Sequence, residues 1–305
     1  MSRPLRWEVE GRIWPHRDAS RFVEVGPVTW HIQRFGEDCA QGARPSPRPR
    51  ILMLHGTGAS VHSWRDLAPS LADRFDILAC DLPRHAFTRG HLPDDTSLVR
   101  MARSVQHLLD ACQFAPDMVV GHSAGAALAL QIALDHEFRG PIVGLNSALR
   151  PFPGLAAQMF PAIAKVLFVN PVVPRLFSAA AGFGNEAERF IGRATHSRID
   201  RAGLACYAAL LRNSHHTKGA LAMMANWDLP GLRHKMDRIT NPILLLHSDK
   251  DATIPLEWAQ EAHSWLATSR LDVLSGLGHL AHEEAPDLAA GAIADFASTH
   301  LGAGA

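Results

Sequence analysis

The stretch GHSAG, residues 121–125, places Ser123 between two glycines at the junction of two sequence patterns. An apolar run ends at Gly121, and an alanine-rich helical pattern begins after Gly125. A serine in G-x-S-x-G between a strand and a helix is typical of a nucleophile on a sharp turn, where the glycines avoid steric clashes. We predict that Ser123 is a nucleophile. An ordinary turn serine is the alternative, because so short a motif also arises by chance.

A nucleophilic serine needs a base to take its proton and an acid to orient that base. After an elbow serine, the acid comes before the histidine in the chain. Asp249 and Asp251 follow one apolar strand pattern, and His279 lies in a glycine-flanked loop after the last one. We predict His279 as the base and Asp251 as its acid, since the spacing to Pro255 favours a loop that turns Asp251 toward the sheet. Taken singly, Asp251 could be a turn or helix-cap residue and His279 a surface histidine; their order after Ser123 favours the triad.

Acyl transfer also needs backbone N–H groups directed at the oxygen that becomes negative. The segment LMLHGTGAS, 52–60, is a strand followed by a turn of small residues. We predict an oxyanion hole made by the N–H groups of Thr57 and of Ala124, the residue after the nucleophile. A glycine turn that leads into a helix near Ser63 is compatible with this role.

Strand and helix patterns alternate along most of the chain, which predicts an α/β fold with a mostly parallel sheet and helices on both faces. An opening hairpin is predicted at 22–25 and 28–35, and a helix at 96–112, which carries one apolar face. The Pro- and Arg-rich stretch 36–50 indicates a surface insertion. Further buried strands are predicted at 51–54, 77–80, 118–120, 142–145, 243–246 and 271–274.

Strand patterns are missing between 149 and 228, so we predict a helical cap there, inserted after the sixth strand of a core formed by 1–148 and 229–305. The cap contains nine Lys and Arg against four acidic residues, whereas the whole chain has 30 of each. Amphipathic helices with solvated basic faces would explain this excess. The alternative is a pocket in which aromatic side chains hold a flat apolar ligand and arginines bind its carboxylates.

Composition excludes several classes of function. The equal numbers of basic and acidic residues argue against a general nucleic-acid binder. The sequence has no apolar run of 18 residues, so it does not predict a membrane span. The four cysteines have no C-x-x-C pair, which favours a reducing compartment. We predict a cytoplasmic protein without a cofactor. We also predict no bound metal, because two groups of histidines lack the spacing of a metal site: the adjacent His215 and His216, and His279 with His282.

The HGTG loop, the GHSAG elbow and the late Asp251 and His279 together resemble the α/β-hydrolase superfamily. Within it, the chain resembles the magnesium-chelatase accessory proteins of bacteriochlorophyll biosynthesis. This second resemblance lies in WPHRDASRFVEV, VTWHIQRFG, LMLHGTGASVHSWRDLAPSLADRFDILACDLP and NPVVPRLF. It differs at Arg84 and Ala86, where the family pattern has glycines.

The resemblance implies a porphyrin-like ligand, contact with chelatase subunits and work close to the photosynthetic membrane; it does not supply a reaction. We therefore predict an accessory protein of magnesium chelatase that binds or processes a porphyrin. The alternative is a carboxylesterase-like serine hydrolase acting on an apolar ester.

Overall fold

The computed structural model describes residues 3–36, 48–90, 96–136, 138–150 and 186–302. Most of the predicted insertion at 36–50 and residues 151–185 of the predicted cap lie outside these ranges.

Within the described ranges, nine strands form one sheet in the order β1-β2-β4-β3-β6-β7-β8-β9, with the short β5 paired to β2. Strands β3, β4, β6, β7, β8 and β9 pair in parallel, and the hairpin β1–β2 joins the sheet antiparallel to β4. The strands are β1 Ser20–Val25, β2 Val28–Phe35, β3 Arg50–Leu54, β4 Asp76–Cys80, β5 Arg89–Gly90, β6 Met118–His122, β7 Ile142–Leu145, β8 Ile243–Ser248 and β9 Ser269–Leu274.

Helices cover both faces of the sheet, which confirms the predicted fold class. The described helices are α1 Leu67–Leu71, α2 Leu98–Ala111, α3 Ala124–Asp135, α4 Glu186–Thr195, α5 Arg201–Leu211, α6 Ser214–Asn226, α7 Leu229–Arg233, α8 Leu256–Trp265, α9 Ala281–Glu284 and α10 Pro286–Leu301.

Successive side chains of a strand point to opposite faces, so the fully buried central strands feed two cores. Leu52 and Leu54 of β3 pack in the core that contains α2 and α3. Ile51 and Met53 of the same strand pack in the core that contains α1 and α10. This two-sided burial explains why the central strands read as continuous apolar runs in the sequence.

The predicted strands lie within two residues of the observed ones, but the two-residue β5 has no sequence signal. The segment predicted as a cap therefore follows the seventh strand instead of the sixth. Its described part consists of α4, α5 and α6, and the division into core 1–148 and 229–305 and cap 149–228 remains a prediction. None of the helices in the described ranges is long and apolar enough to cross a membrane.

The parallel strands end at the same edge of the sheet, so the loops that follow them meet there. Gly56 follows β3, Ser123 follows β6, Asn146 follows β7, Asp251 follows β8 and His279 follows β9. The candidate site lies at this edge.

Candidate active site

Ser123 occupies the turn between β6 and α3, with φ 52° and ψ −115°. The turn needs glycine on both sides. A Cβ on Gly125 would lie 1.9 Å from the Leu54 carbonyl oxygen, and a Cβ on Gly121 would lie 2.4 Å from the backbone of Gly125. The two glycines therefore let α3 start directly against the sheet, which holds Ser123 in a left-handed conformation that non-glycine residues rarely adopt.

His279 and Asp251 are hydrogen-bonded to each other, with 2.7 Å between His279 Nδ1 and Asp251 Oδ2. The other carboxylate oxygen, Oδ1, accepts N–H bonds of 2.8 Å from Thr253 and Ile254. Burial alone would raise the pKa of Asp251, but the hydrogen bond and charge of His279 and the backbone bond from Ile254 lower it below its ordinary value. The carboxylate is thus held ionised, and it fixes the Nδ1 proton on His279, which leaves Nε2 available as a base.

Asp249, the other sequence candidate, points elsewhere. Its carboxylate accepts hydrogen bonds from the Gly276 N–H at 2.6 Å and from the Ser275 hydroxyl at 3.1 Å. It stabilises the turn after β9, whereas the structure brings Asp251 to His279.

Asn146 belongs to the site and was not predicted from the sequence. Its side-chain N–H donates to Asp251 Oδ2 at 2.8 Å, and its backbone has φ 45°. A polar residue at the carboxyl end of a parallel strand, in NSALR after 142–145, was the available signal.

A cavity of about 480 Å³ opens above Ser123, and both Ser123 and His279 lie on its wall. In the described part of the chain, the Ser123 hydroxyl is not hydrogen-bonded to the His279 ring; such bonds are often long before a ligand binds. Most of the lining is apolar, and part of it comes from α4 to α7 and from Trp227, which lies between α6 and α7. It includes Phe190, Ile191, Leu211, Met223, Met224, Trp227, Leu229 and Pro230.

The two predicted oxyanion donors, Thr57 and Ala124, also line this cavity. Ala124 is the first residue of α3, so its N–H has no acceptor within the helix. Gly56 brings the other loop close, because a Cβ on it would lie 3.0 Å from Ser123 Cβ. The two predicted donors therefore flank the nucleophile.

Comparison with known proteins identifies the family of this chain. The profile of the alpha/beta hydrolase family matches residues 51–292, which is most of the chain. The chain belongs to this family.

Two relatives and one solved structure illustrate what the chain is similar to. The magnesium-chelatase 30 kDa subunit of Rhodobacter capsulatus is 36% identical over 287 residues, which cover 93% of this chain and 96% of that protein. A pimeloyl-[acyl-carrier protein] methyl ester esterase of Neisseria meningitidis is 28% identical, covering 79% and 91%. A hydrolase from Pseudomonas aeruginosa PA01 superposes with a TM-score of 0.71 at 22% identity, covering 92% and 99%.

Behind the candidate triad, the alpha/beta hydrolase core holds a buried neutral histidine. His122 Nε2 donates to the His279 carbonyl at 3.0 Å, and its ring packs 4.4 Å from that of His282. Burial, with repulsion from His279, lowers the pKa of His122 to about 3. His122 thus steadies the loop that carries the base without adding charge.

A buried ion pair joins α9, directly after His279, to α5 of the predicted cap. Glu283 accepts hydrogen bonds from Arg65, from the Ser63 hydroxyl at 2.8 Å and from the Tyr207 hydroxyl at 2.7 Å. Arg65 also donates to Asp200, the N-cap of α5, at 2.7 Å. Burial raises the pKa of Glu283, and Arg65 opposes that shift. Tyr207 contributes to the cavity wall, so this network connects the wall to the segment that follows His279.

The basic residues of the predicted cap do not surround the ligand space in the described part of the chain. Arg150 pairs with Glu261, and none of the described arginines or lysines of 186–228 is among the lining residues. The predicted clamp for carboxylates is therefore not seen there. Nor do the described ranges bring together three His, Cys, Asp or Glu side chains that could hold a metal ion.

A second Ser-His-Asp row occurs in the hairpin. His31 Nδ1 lies 2.7 Å from Asp81 Oδ2, and its Nε2 lies 3.1 Å from Ser20 Oγ. Ser20 has an ordinary extended φ of −76°, and Asp81 also accepts N–H bonds from Val61 and Phe87. This row ties β1 and β2 to the loop after β4, and its serine does not lie on a strained turn between a strand and a helix.

Proposed function

We propose that this protein is an accessory protein of magnesium chelatase that binds a porphyrin in the cavity above Ser123. The observation that carries the proposal is the location of that cavity. An apolar space of about 480 Å³ lies over the nucleophile elbow in a chain 36% identical to a magnesium-chelatase 30 kDa subunit. Such a volume suits a small-molecule ligand.

The lining favours the body of a porphyrin over its carboxylates. Tyr207 and Trp227 offer aromatic faces, and Met223 and Met224 supply polarizable side chains that adapt to a flat ring system. The macrocycle would lie among these residues with its carboxylates directed away from the apolar wall.

We further propose that Ser123, His279 and Asp251 form a catalytic triad. His279 Nε2 takes the proton of the Ser123 hydroxyl as its oxygen attacks an acyl carbon, and the N–H groups of Thr57 and Ala124 stabilise the resulting oxyanion. Collapse of this intermediate breaks the bond to the leaving group, which takes the proton from His279. Water then releases the acyl group by the same steps, with His279 again acting as base and then as acid.

A general serine hydrolase acting on an apolar ester is the second candidate. The bond between His279 and Asp251 and the strained elbow favour it, and one relative is named a methyl ester esterase. In this case the protein would turn over esters without any role beside the chelatase.

Complementation separates the candidates. A strain lacking this protein would receive the wild type or Ser123→Ala at equal protein levels, and porphyrin precursors would be measured. Accumulation of protoporphyrin in the null strain and its reversal by the wild type are expected. Failure of Ser123→Ala to reverse it would mean that turnover is needed, whereas full reversal would leave binding as the role. Normal pigment in the null strain would overturn the chelatase role and favour the general hydrolase.

A further inference from the structure

Two loops at the site are joined by histidines. The oxyanion loop, 56–59, follows β3, and the second loop, 82–88, follows β4. His55 bridges them from the core: its Nδ1 donates to the Gly56 carbonyl at 2.8 Å, and its Nε2 accepts the Leu82 N–H at 2.9 Å.

His216 makes the same kind of bridge from α6, a helix of the predicted cap. Its Nε2 donates to the Gly58 carbonyl at 3.1 Å, and its Nδ1 accepts the Ala86 N–H at 3.0 Å. The carbonyl must accept and the amide must donate, so these bonds define a neutral ring protonated on Nε2. The side chain is 1% exposed, so water does not compete for either bond.

Other contacts of α6 reinforce this position. The Thr57 hydroxyl donates to the sulfur of Met223 at 3.9 Å, two helical turns beyond His216 on the same face. Gly219 lies directly on the second loop, because a Cβ there would be 2.3 Å from the Arg84 carbonyl oxygen. The helix therefore touches both loops along one face.

The second loop has a conformation that needs such support. Its Arg84 and Ala86 have φ 65° and 41°, whereas the φ of 76° in the oxyanion loop falls on Gly58, a glycine that adopts it without steric cost. Positive φ is costly for residues other than glycine and persists only where surrounding contacts enforce it. The bond from Ala86 to His216 is one of those contacts.

We propose that His216 is a positioning residue that lets α6 set the conformation of the oxyanion loop. Met223 and Met224 of the same helix, and Trp227 directly after it, line the cavity, so a ligand that contacts them also stabilises the bond from His216 to Gly58. Ligand occupancy of the cavity is thereby coupled to the donor at Thr57. The catalytic part of this inference rests on the proposed function.

Two substitutions of His216 separate its hydrogen bond to Ala86 from its hydrogen bond to Gly58. His216→Asn retains an acceptor near the Nδ1 position for Ala86 but has no donor for Gly58, whereas His216→Gln places an amide N–H near Nε2. His215→Asn is the matched control, since His215 is a half-buried neighbour whose ring has no bond to either loop. Hydrolysis of 4-nitrophenyl butyrate gives kcat and KM, and hydrogen–deuterium exchange reports on residues 52–60.

His216→Asn is expected to lower kcat about ten-fold, as for one lost positioning hydrogen bond, with KM little changed and faster exchange at 52–60. His216→Gln is expected to retain most of the wild-type kcat and most of the protection from exchange at 52–60. His215→Asn is expected to match the wild type in both measurements. Unchanged exchange and kcat in His216→Asn would overturn the proposal. Equal losses in the Asn and Gln variants that parallel the loss of thermal stability would also overturn it, since they indicate a purely structural residue.

Failure of the proposed function has a different signature. A wild type that neither hydrolyses the ester nor reacts with a fluorophosphonate would remove the triad. The exchange rates at 52–60 would then decide by themselves whether His216 holds the loop.

Discussion

At the residue scale, partners already present in the fold decide the role of each candidate. Asp249 and Asp251 are two residues apart and both follow β8, yet their hydrogen bonds differ. Asp251 accepts hydrogen bonds from the N–H groups of Thr253 and Ile254 and is hydrogen-bonded to His279. Asp249 instead accepts a hydrogen bond from Gly276 in the turn after β9.

The pair provides a direct test of the acid. Asp251→Asn is expected to lower kcat toward an activated ester by about 10⁴-fold, because the amide no longer stabilises the imidazolium or the reactive tautomer. Asp249→Asn is the matched control, and its kcat should stay near the wild-type value. Comparable losses in both variants would refute the assignment of Asp251.

Sequence reasoning selects candidate catalytic residues more readily than the residues that hydrogen-bond to them. Ser123 and His279 lie in motifs with a chemical signature, and chain order selects them. Asn146 and Tyr207 act through hydrogen bonds to residues 105 and 76 positions away, and no local pattern encodes such distant partners. Arg84 and Ala86 stand where the family pattern has glycines, and the structure explains that pattern, since both residues have positive φ.

At the scale of elements, the site depends on how closely α3 approaches β3. Gly125→Ala would place a methyl group 1.9 Å from the Leu54 carbonyl oxygen, so strand and helix must separate. We expect a loss of about 3 kcal/mol or more in the free energy of unfolding, measured by urea denaturation.

Gly291→Ala is the matched control for that substitution. Gly291 lies on the exposed side of α10 with no atom within 4 Å of an added Cβ. Alanine there should stabilise the protein by about 0.5–1 kcal/mol through helix propensity. A Gly125→Ala protein as stable as the wild type would contradict the close packing described here.

The buried ion pair makes a second prediction about elements. Glu283→Ala leaves the Arg65 guanidinium buried with less compensation, and we expect a loss of about 3–5 kcal/mol in the free energy of unfolding. Glu261→Ala breaks the half-exposed pair with Arg150 and should cost less than about 1 kcal/mol. Equal losses for the two substitutions in urea denaturation would show that burial does not determine how much an ion pair contributes to the free energy of unfolding.

At the scale of the whole molecule, the unusual feature is the number of buried histidines. Burial is the main cause that lowers the pKa of each of six fully buried rings, to about 4 for His85 and about 3 for His122 and His216. The six are His55, His62, His85, His122, His216 and His282.

These rings predict an early loss of stability in acid. Each is neutral in the folded protein but binds a proton below its ordinary pKa of 6.5 once unfolded, so stability is complete above pH 6.5 and falls as the pH drops from there. Each ring contributes up to about 1.4 kcal/mol per pH unit. Glu283, whose pKa is raised, has the opposite effect, because the folded state binds its proton more readily than the unfolded state. This offsets at most one of the protons that the histidines take up on unfolding.

Urea denaturation at a series of pH values measures this slope directly. Near pH 5.5 we expect the unfolded state to bind about five more protons than the folded state. A free energy of unfolding that is constant between pH 6.5 and 4.5 would contradict the neutral, buried state of these histidines.

The fold as a whole was accessible from the sequence because parallel strands buried on both faces leave continuous apolar runs. Those runs located β3, β4, β6, β7 and β8, whereas the two-residue β5, which pairs with β2, is too short to leave such a run. The shape of the ligand space was not accessible, since its wall is assembled from α4 to α7 and several loops. The expectation of arginines around a ligand came from net charge, which does not determine the direction of a side chain.

The most direct test of a porphyrin site above a reactive serine is the rate at which a fluorophosphonate labels Ser123 at increasing concentrations of protoporphyrin IX. We predict labelling that is absent in Ser123→Ala and that slows saturably as the porphyrin fills the cavity. Labelling at a rate independent of porphyrin would contradict a shared site and leave a serine hydrolase. No labelling of the folded wild type would contradict the triad itself.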